Sequence, residues 1–132
     1  LELGATIKPV NFGGGYEVLG SDNGQGFKTP LATLHAFNGW ADVFLGTPGT
    51  GLRDLYAWVG GTLPWQMPLK VVFHQYRSET GGLHYGDELD VVLSKKFGKH
   101  WTAMAKYAFF DGKEGPTSFD VDKFWFQVEF NY

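Results

Sequence analysis

Hydrophobic and polar residues alternate along most of this chain, and the last stretch shows it most plainly. Phe124, Phe126, Val128, Phe130 and Tyr132 share one side of an extended strand, and Trp125, Gln127, Glu129 and Asn131 share the other. Earlier segments repeat the pattern. Leu1, Leu3, Ala5 and Ile7 alternate with Glu2, Gly4, Thr6 and Lys8 up to Pro9, a first strand. Leu55, Ala57, Val59 and Leu63 oppose Asp54, Tyr56, Trp58 and Thr62, while Leu69, Val71 and Phe73 oppose Lys70, His74 and Tyr76. Leu89, Val91 and Leu93 oppose Glu88, Asp90 and Ser94, and Trp101, Ala103, Ala105, Tyr107 and Phe109 oppose Thr102, Met104, Lys106 and Ala108. With a short strand over residues 16–19 after the Gly13-Gly14-Gly15 turn or bulge, the pattern predicts an all-β antiparallel meander.

Two segments interrupt the alternation. Residues 20–51 read as one long loop within a single 1–132 unit, with Asp22-Asn23-Gly24 as its tightest turn. Inside it, Leu34, Phe37, Ala41 and Phe44 recur at intervals of three and four, which predicts a short helix or compact loop over 31–45. Between the later strands, the connections 64–68 and 97–99 are short, whereas 78–86 and 111–122 are longer. Such alternation, with strands of about nine to eleven residues, suits a transmembrane β-barrel with periplasmic turns and outside loops. Seven strands do not close a barrel of the usual even number, so the expected unit is the C-terminal fragment of a larger barrel.

Composition narrows the function classes. Charged residues are 19% of the 132, aromatic residues 17%, and glycines number 19. An ordinary soluble domain carries about 25% charge and roughly 7% Gly, so these values suit short strands, tight turns and a lipid-facing side. A soluble lipocalin-like barrel shares the composition but would bury Leu and Val inside and display Lys and Glu outside. A structural outer-membrane barrel would keep the membrane facing and fill its interior with paired charges. The net charge of −3, without a Lys/Arg cluster, argues against a nucleic-acid partner. The chain has no cysteine, which excludes disulfide and thiol chemistry.

Little in the chain points to catalysis. His35, His74, His84 and His100 lack a metal-ligand spacing, and no metal or cofactor is expected. His35 and His84 are expected in loops. Glu88 and Asp90 share a strand face but lack a sequence-visible apolar pocket to split their acidities, as acid-base work needs. Ser78, His84 and Asp87 lack a Gly-x-Ser-x-Gly elbow. The expectation is therefore no enzyme and no catalytic residue.

What remains is a lined passage. Lys8, Arg53, Tyr56, Trp58, Lys70, His74, Glu88, Asp90, Lys106, Gln127 and Glu129 are the candidate pore-lining residues. Lys123 joins Lys8, Arg53, Lys70 and Lys106 as a possible basic track, against the plainer reading of ion pairs in a wet interior. Phe37, Trp40 and Phe44 are candidate anchors that would hold the long loop near the pore.

The stretch Phe27-Lys28-Thr29-Pro30-Leu31-Ala32-Thr33-Leu34-His35-Ala36-Phe37-Asn38-Gly39-Trp40-Ala41-Asp42, followed by Gly51-Leu52-Arg53-Asp54-Leu55-Tyr56, resembles the C-terminal portion of bacterial outer-membrane porins of the alginate-export type. Val72-Phe73-His74-Gln75-Tyr76, Tyr85-Gly86-Asp87-Glu88-Leu89-Asp90, Lys106-Tyr107-Ala108 and Lys123-Phe124-Trp125 extend the likeness from about residue 20 onward. The resemblance implies an outer-membrane channel for passive diffusion of small or anionic, polysaccharide-related solutes. It also implies contact with outer-membrane lipid and lipopolysaccharide, and with the barrel-assembly machinery through the C-terminal strand.

Overall fold

The computed structural model describes residues 1–28 and 38–132. Among these residues the protein is all-β. Its strands are β1 Glu2–Ile7, β2 Val10–Leu19, β3 Ser21–Asp22, β4 Gln25–Gly26, β5 Leu52–Leu63, β6 Met67–Arg77, β7 His84–Phe97, β8 Trp101–Gly112 and β9 Val121–Phe130. Seven of them form one antiparallel sheet in the order β1-β2-β5-β6-β7-β8-β9. Each strand pairs with its neighbour in this order, and β1 and β9 are the sheet's edges. β3 and β4 make a separate small hairpin across Asn23 and Gly24, whose φ values of 49° and 75° suit a two-residue turn of mirror-image type.

The glycine run belongs to a strand, not a turn. β2 begins at Val10, and residues 8–9 alone join it to β1, so Gly13, Gly14 and Gly15 lie inside a paired strand. The reason is cross-strand: Gly13 and Gly15 sit opposite Trp58 and Tyr56. A Cβ at Gly13 would lie 2.8 Å from the Trp58 ring, so only glycine leaves room for the indole to lie across the backbone. β7 likewise starts earlier than the alternation suggests, taking in His84 at its first position instead of leaving it in a loop. Residues 38–45 form bends and a turn and no helix, and residues 31–37 of the expected helix or loop, Phe37 included, lie outside the described residues.

Register carries the alternation across the whole sheet. Phe12 faces Val59, Val59 faces Val71, Val71 faces Val91, Val91 faces Tyr107 and Tyr107 faces Phe124. A parallel row on the other face runs Glu2, Gly15, Tyr56, His74, Glu88, Phe110 and Val121. Because side chains repeat every second residue, one register keeps most of the aliphatic residues together and the buried carboxyl groups together. The apolar face is open: Leu55 is 54% exposed, Phe73 46% and Phe126 66%. On the polar face Asp54 is 2% exposed, Glu88 1% and Asp90 0%.

The connections sort by length to opposite ends of the sheet. Residues 8–9, 64–66 and 98–100 close one end, and 20–51, 78–83 and 113–120 close the other. On the apolar face, Phe97 pairs with Trp101 and Trp101 with Phe130 at the short-turn end. Arg53, Arg77, Asp87, Asp111 and Asp122 stand at the long-loop end of that face.

Candidate functional site

The polar face becomes a site where residues 38–44 lie on it. Backbone geometry lets this segment turn sharply, with Asn38, Gly39 and Asp42 at φ 56°, 82° and 57°. Gly39 is required twice, by its left-handed backbone and by crowding, since a Cβ there would lie 2.5 Å from Glu88 Cδ. The next two amides then point at β7. The Ala41 N–H donates to Glu88 Oε1 at 2.6 Å, and the Trp40 N–H donates to Asp90 Oδ2 at 3.1 Å. These backbone hydrogen bonds offset part of the cost of burying the two carboxyl groups.

Side chains fasten the same segment. Lys123 Nζ on β9 lies 3.1 Å from Asp42 Oδ2, and Lys106 Nζ on β8 stands 5.2 Å from the Trp40 ring centre. Phe44 is buried among aromatic residues of β6, β7 and β8. Its ring centre is 4.6 Å from Tyr76, 5.7 Å from Tyr85 and 5.9 Å from Phe110. With Ala41, Leu52 and Ala108 these rings form the protein's buried apolar cluster, and half-buried Trp40 packs against it.

His74 sits at the centre of the carboxyl groups. Its Nδ1 lies 2.9 Å from Asp54 Oδ2 and its Nε2 lies 3.8 Å from Asp90 Oδ2. The ring stacks on Tyr76 at 5.4 Å and approaches Tyr56 at 5.5 Å. Both ring nitrogens therefore face carboxyl groups, so His74 of β6 stands between those of β5 and β7. Ser78 Oγ accepts from the Leu83 N–H at 2.8 Å, closing its own loop, and His84 Nε2 lies 3.2 Å from Asp87 Oδ1. Among the described residues, no group of three or more His, Asp or Glu side chains is arranged to hold a metal ion.

Of the sequence-predicted lining residues, Tyr56, Trp58, Lys70, His74, Glu88, Asp90, Lys106, Gln127 and Glu129 share the polar face by register. Lys8 stands at the short-turn end, lining a depression with Lys70 and Trp58. Arg53 is a correction: it pairs across the strands with Val18 and Arg77, on the side of Leu55, because strand neighbours alternate. Tyr76, Gly39 and Asp42 were missed as site residues. The one available signal was parity, since Tyr76 is two residues from His74.

Charge is graded along this face. Glu17 and Asp54 share one row, Glu2, His74 and Glu88 the next, and Asp90 and Lys123 the third. Lys70 and Lys106 follow in the fourth row, toward the short turns. Carboxylates thus gather toward the long loops and lysines toward the short turns, with Glu129 the exception near the short-turn end. Comparison with protein-family models, curated proteins and solved structures finds no match for this chain.

Proposed function

We propose that this sheet is part of a transmembrane β-barrel in a bacterial outer membrane, and that the barrel passes small polar or anionic solutes by diffusion. The observation that carries the reading is an exposed aliphatic and aromatic face running across the sheet, backed by a polar face on which Asp54, Glu88 and Asp90 of β5 and β7 are buried. In water that arrangement exposes Leu, Val and Phe without a partner; against hydrocarbon it is the favourable one. The separation of short turns from long loops supports the same orientation, with the short turns in the periplasm. Aromatic residues at the short-turn end, Trp65, Trp101, Phe130 and Tyr132, suit a membrane interface. No helix among the described residues is long and apolar enough to cross a membrane.

The edges of β1 and β9 require partners in lipid, because unpaired backbone groups are costly there. Further strands of a larger barrel supply them in this reading, in keeping with the resemblance to alginate-export-type porins. The segment 38–44 narrows the lumen, since it lies on the lumen-facing side and is tied to β7, β8 and β9. Lys70 and Lys106 give the passage its preference for anions. Lipid and lipopolysaccharide contact the aliphatic face, and the terminal strand meets the assembly machinery.

Planar-bilayer recording of the protein reconstituted from outer-membrane preparations tests the reading. Discrete conductance steps with a reversal potential favouring anions are expected. A protein that stays monodisperse without detergent and gives no conductance would overturn it in favour of a soluble ligand-binding barrel.

A further inference from the structure

Under the edge of segment 38–44 lies a cavity of about 250 Å³ whose walls carry both signs of charge. Glu2, Glu17 and Asp54 line one end, from β1, β2 and β5, and Lys70 of β6 lines the other. Between them stand the rings of Tyr56, Trp58 and Trp40. Asn38 contributes its Oδ1, a buried acceptor without a hydrogen-bond partner among the described residues. An acceptor left in that state costs free energy unless a bound donor meets it. Beyond Lys70 the face opens into a second depression of about 470 Å³, lined by Lys8 but by no carboxylate. The cavity is thus acidic toward the long loops and basic toward the short turns.

We infer that this cavity binds a zwitterionic solute of about dipeptide size, with its ammonium toward Glu2 and Glu17 and its carboxylate on Lys70. The inference deepens the channel reading and rests on it, since it names a solute class for the same polar face. Lys70 lies four residues along β6 from His74, whose row contains Glu2, and three strand spacings separate β6 from β1, so the backbones of the two charged ends are roughly 20 Å apart. An extended dipeptide spans roughly 7 Å, and the Lys and Glu side chains reach inward to close the remainder. Trp58 lines the middle of the cavity, and Lys70 Nζ stands 5.3 Å from that ring's centre, at hand for the carboxylate. A ligand with a single charge would meet attraction at one end and find the opposite end without a counter-charge.

The test is a calorimetric titration of the detergent-solubilised protein with glycylglycine, with N-acetylglycine, which lacks the ammonium, and with glycylglycinamide, which lacks the carboxylate. Glycylglycine should bind saturably and about tenfold more tightly than either analogue. Lys70→Gln should weaken glycylglycine about tenfold and leave glycylglycinamide unchanged, while Glu17→Gln should weaken glycylglycine and leave N-acetylglycine unchanged. Equal binding of N-acetylglycine would make this an anion site, and equal binding of glycylglycinamide a cation site; either overturns the inference, as does the absence of saturable heat with all three. The comparison of the probes on the unsubstituted protein stands even if a variant does not fold. Conductance without glycylglycine binding would sink this inference alone, and binding without conductance would sink the channel reading.

Discussion

The two halves of the sheet share one pattern and differ in what lies over it. β1 alternates as faithfully as β7 and β8, yet every residue of β1 is exposed, while Tyr85, Glu88, Asp90, Ala108 and Phe110 on β7 and β8 are buried. The difference is segment 38–44, which covers the β6–β8 side with Phe44, Ala41 and Trp40 and leaves β1 and β2 with glycines beneath Trp58 and Tyr56. Alternation makes a two-sided ribbon; a second layer of chain makes part of it into a packed, charged site. The glycine-rich side remains thin, and that thinness leaves the cavity beside it.

Substitutions can break this contrast, beginning with the covering segment. Phe44→Ala should destabilise the covered half most, by about 3–5 kcal/mol, read as a lower urea midpoint in detergent. An unchanged midpoint would mean that the aromatic cluster does not depend on the segment. Val91 and Val92 then test the two faces at one depth, since they are consecutive and Val91 faces Tyr107 while Val92 faces Lys106. Val91→Arg should cost about 2–4 kcal/mol near mid-membrane and lower the inserted fraction in liposomes. Val92→Arg should cost less, and equal losses from both would remove the proposed facing.

Gly39→Ala comes next, at about 1–3 kcal/mol, because its φ of 82° and the nearness of Glu88 both disfavour a Cβ. Faster protease cleavage near residue 39 would report it, whereas Gly24→Ala, at φ 75° with open space around it, should be milder. Arg53→Gln should do least. It sits at the rim of the apolar face, so stability should shift by no more than ~0.5 kcal/mol and ion selectivity should hold. A selectivity change as large as that of Lys70→Gln would return Arg53 to the lining.

Much of this was legible in one dimension. A period of two is a local property: it needs no partner to place Leu55, Ala57 and Val59 opposite Asp54, Tyr56 and Trp58, and the structure keeps them so. Asn23-Gly24 likewise carries its turn in its own backbone preferences. The boundaries of β2 were not legible, because the reason for three glycines in a strand lies in Trp58 and Tyr56, more than forty residues away.

The sequence by itself determined the two faces and the meander, since neighbouring residues dictate strand parity and short turns force neighbouring strands to pair. Only the tertiary structure decided that Glu88 and Asp90 would receive the amides of Ala41 and Trp40, and that His74 would stand between Asp54 and Asp90. The contacts of Glu88 and Asp90 reach residues far away in the chain, through backbone amides whose direction depends on left-handed turns at 38 and 39. Register brings the carboxylates together; the turn geometry of a separate segment determines what they hold.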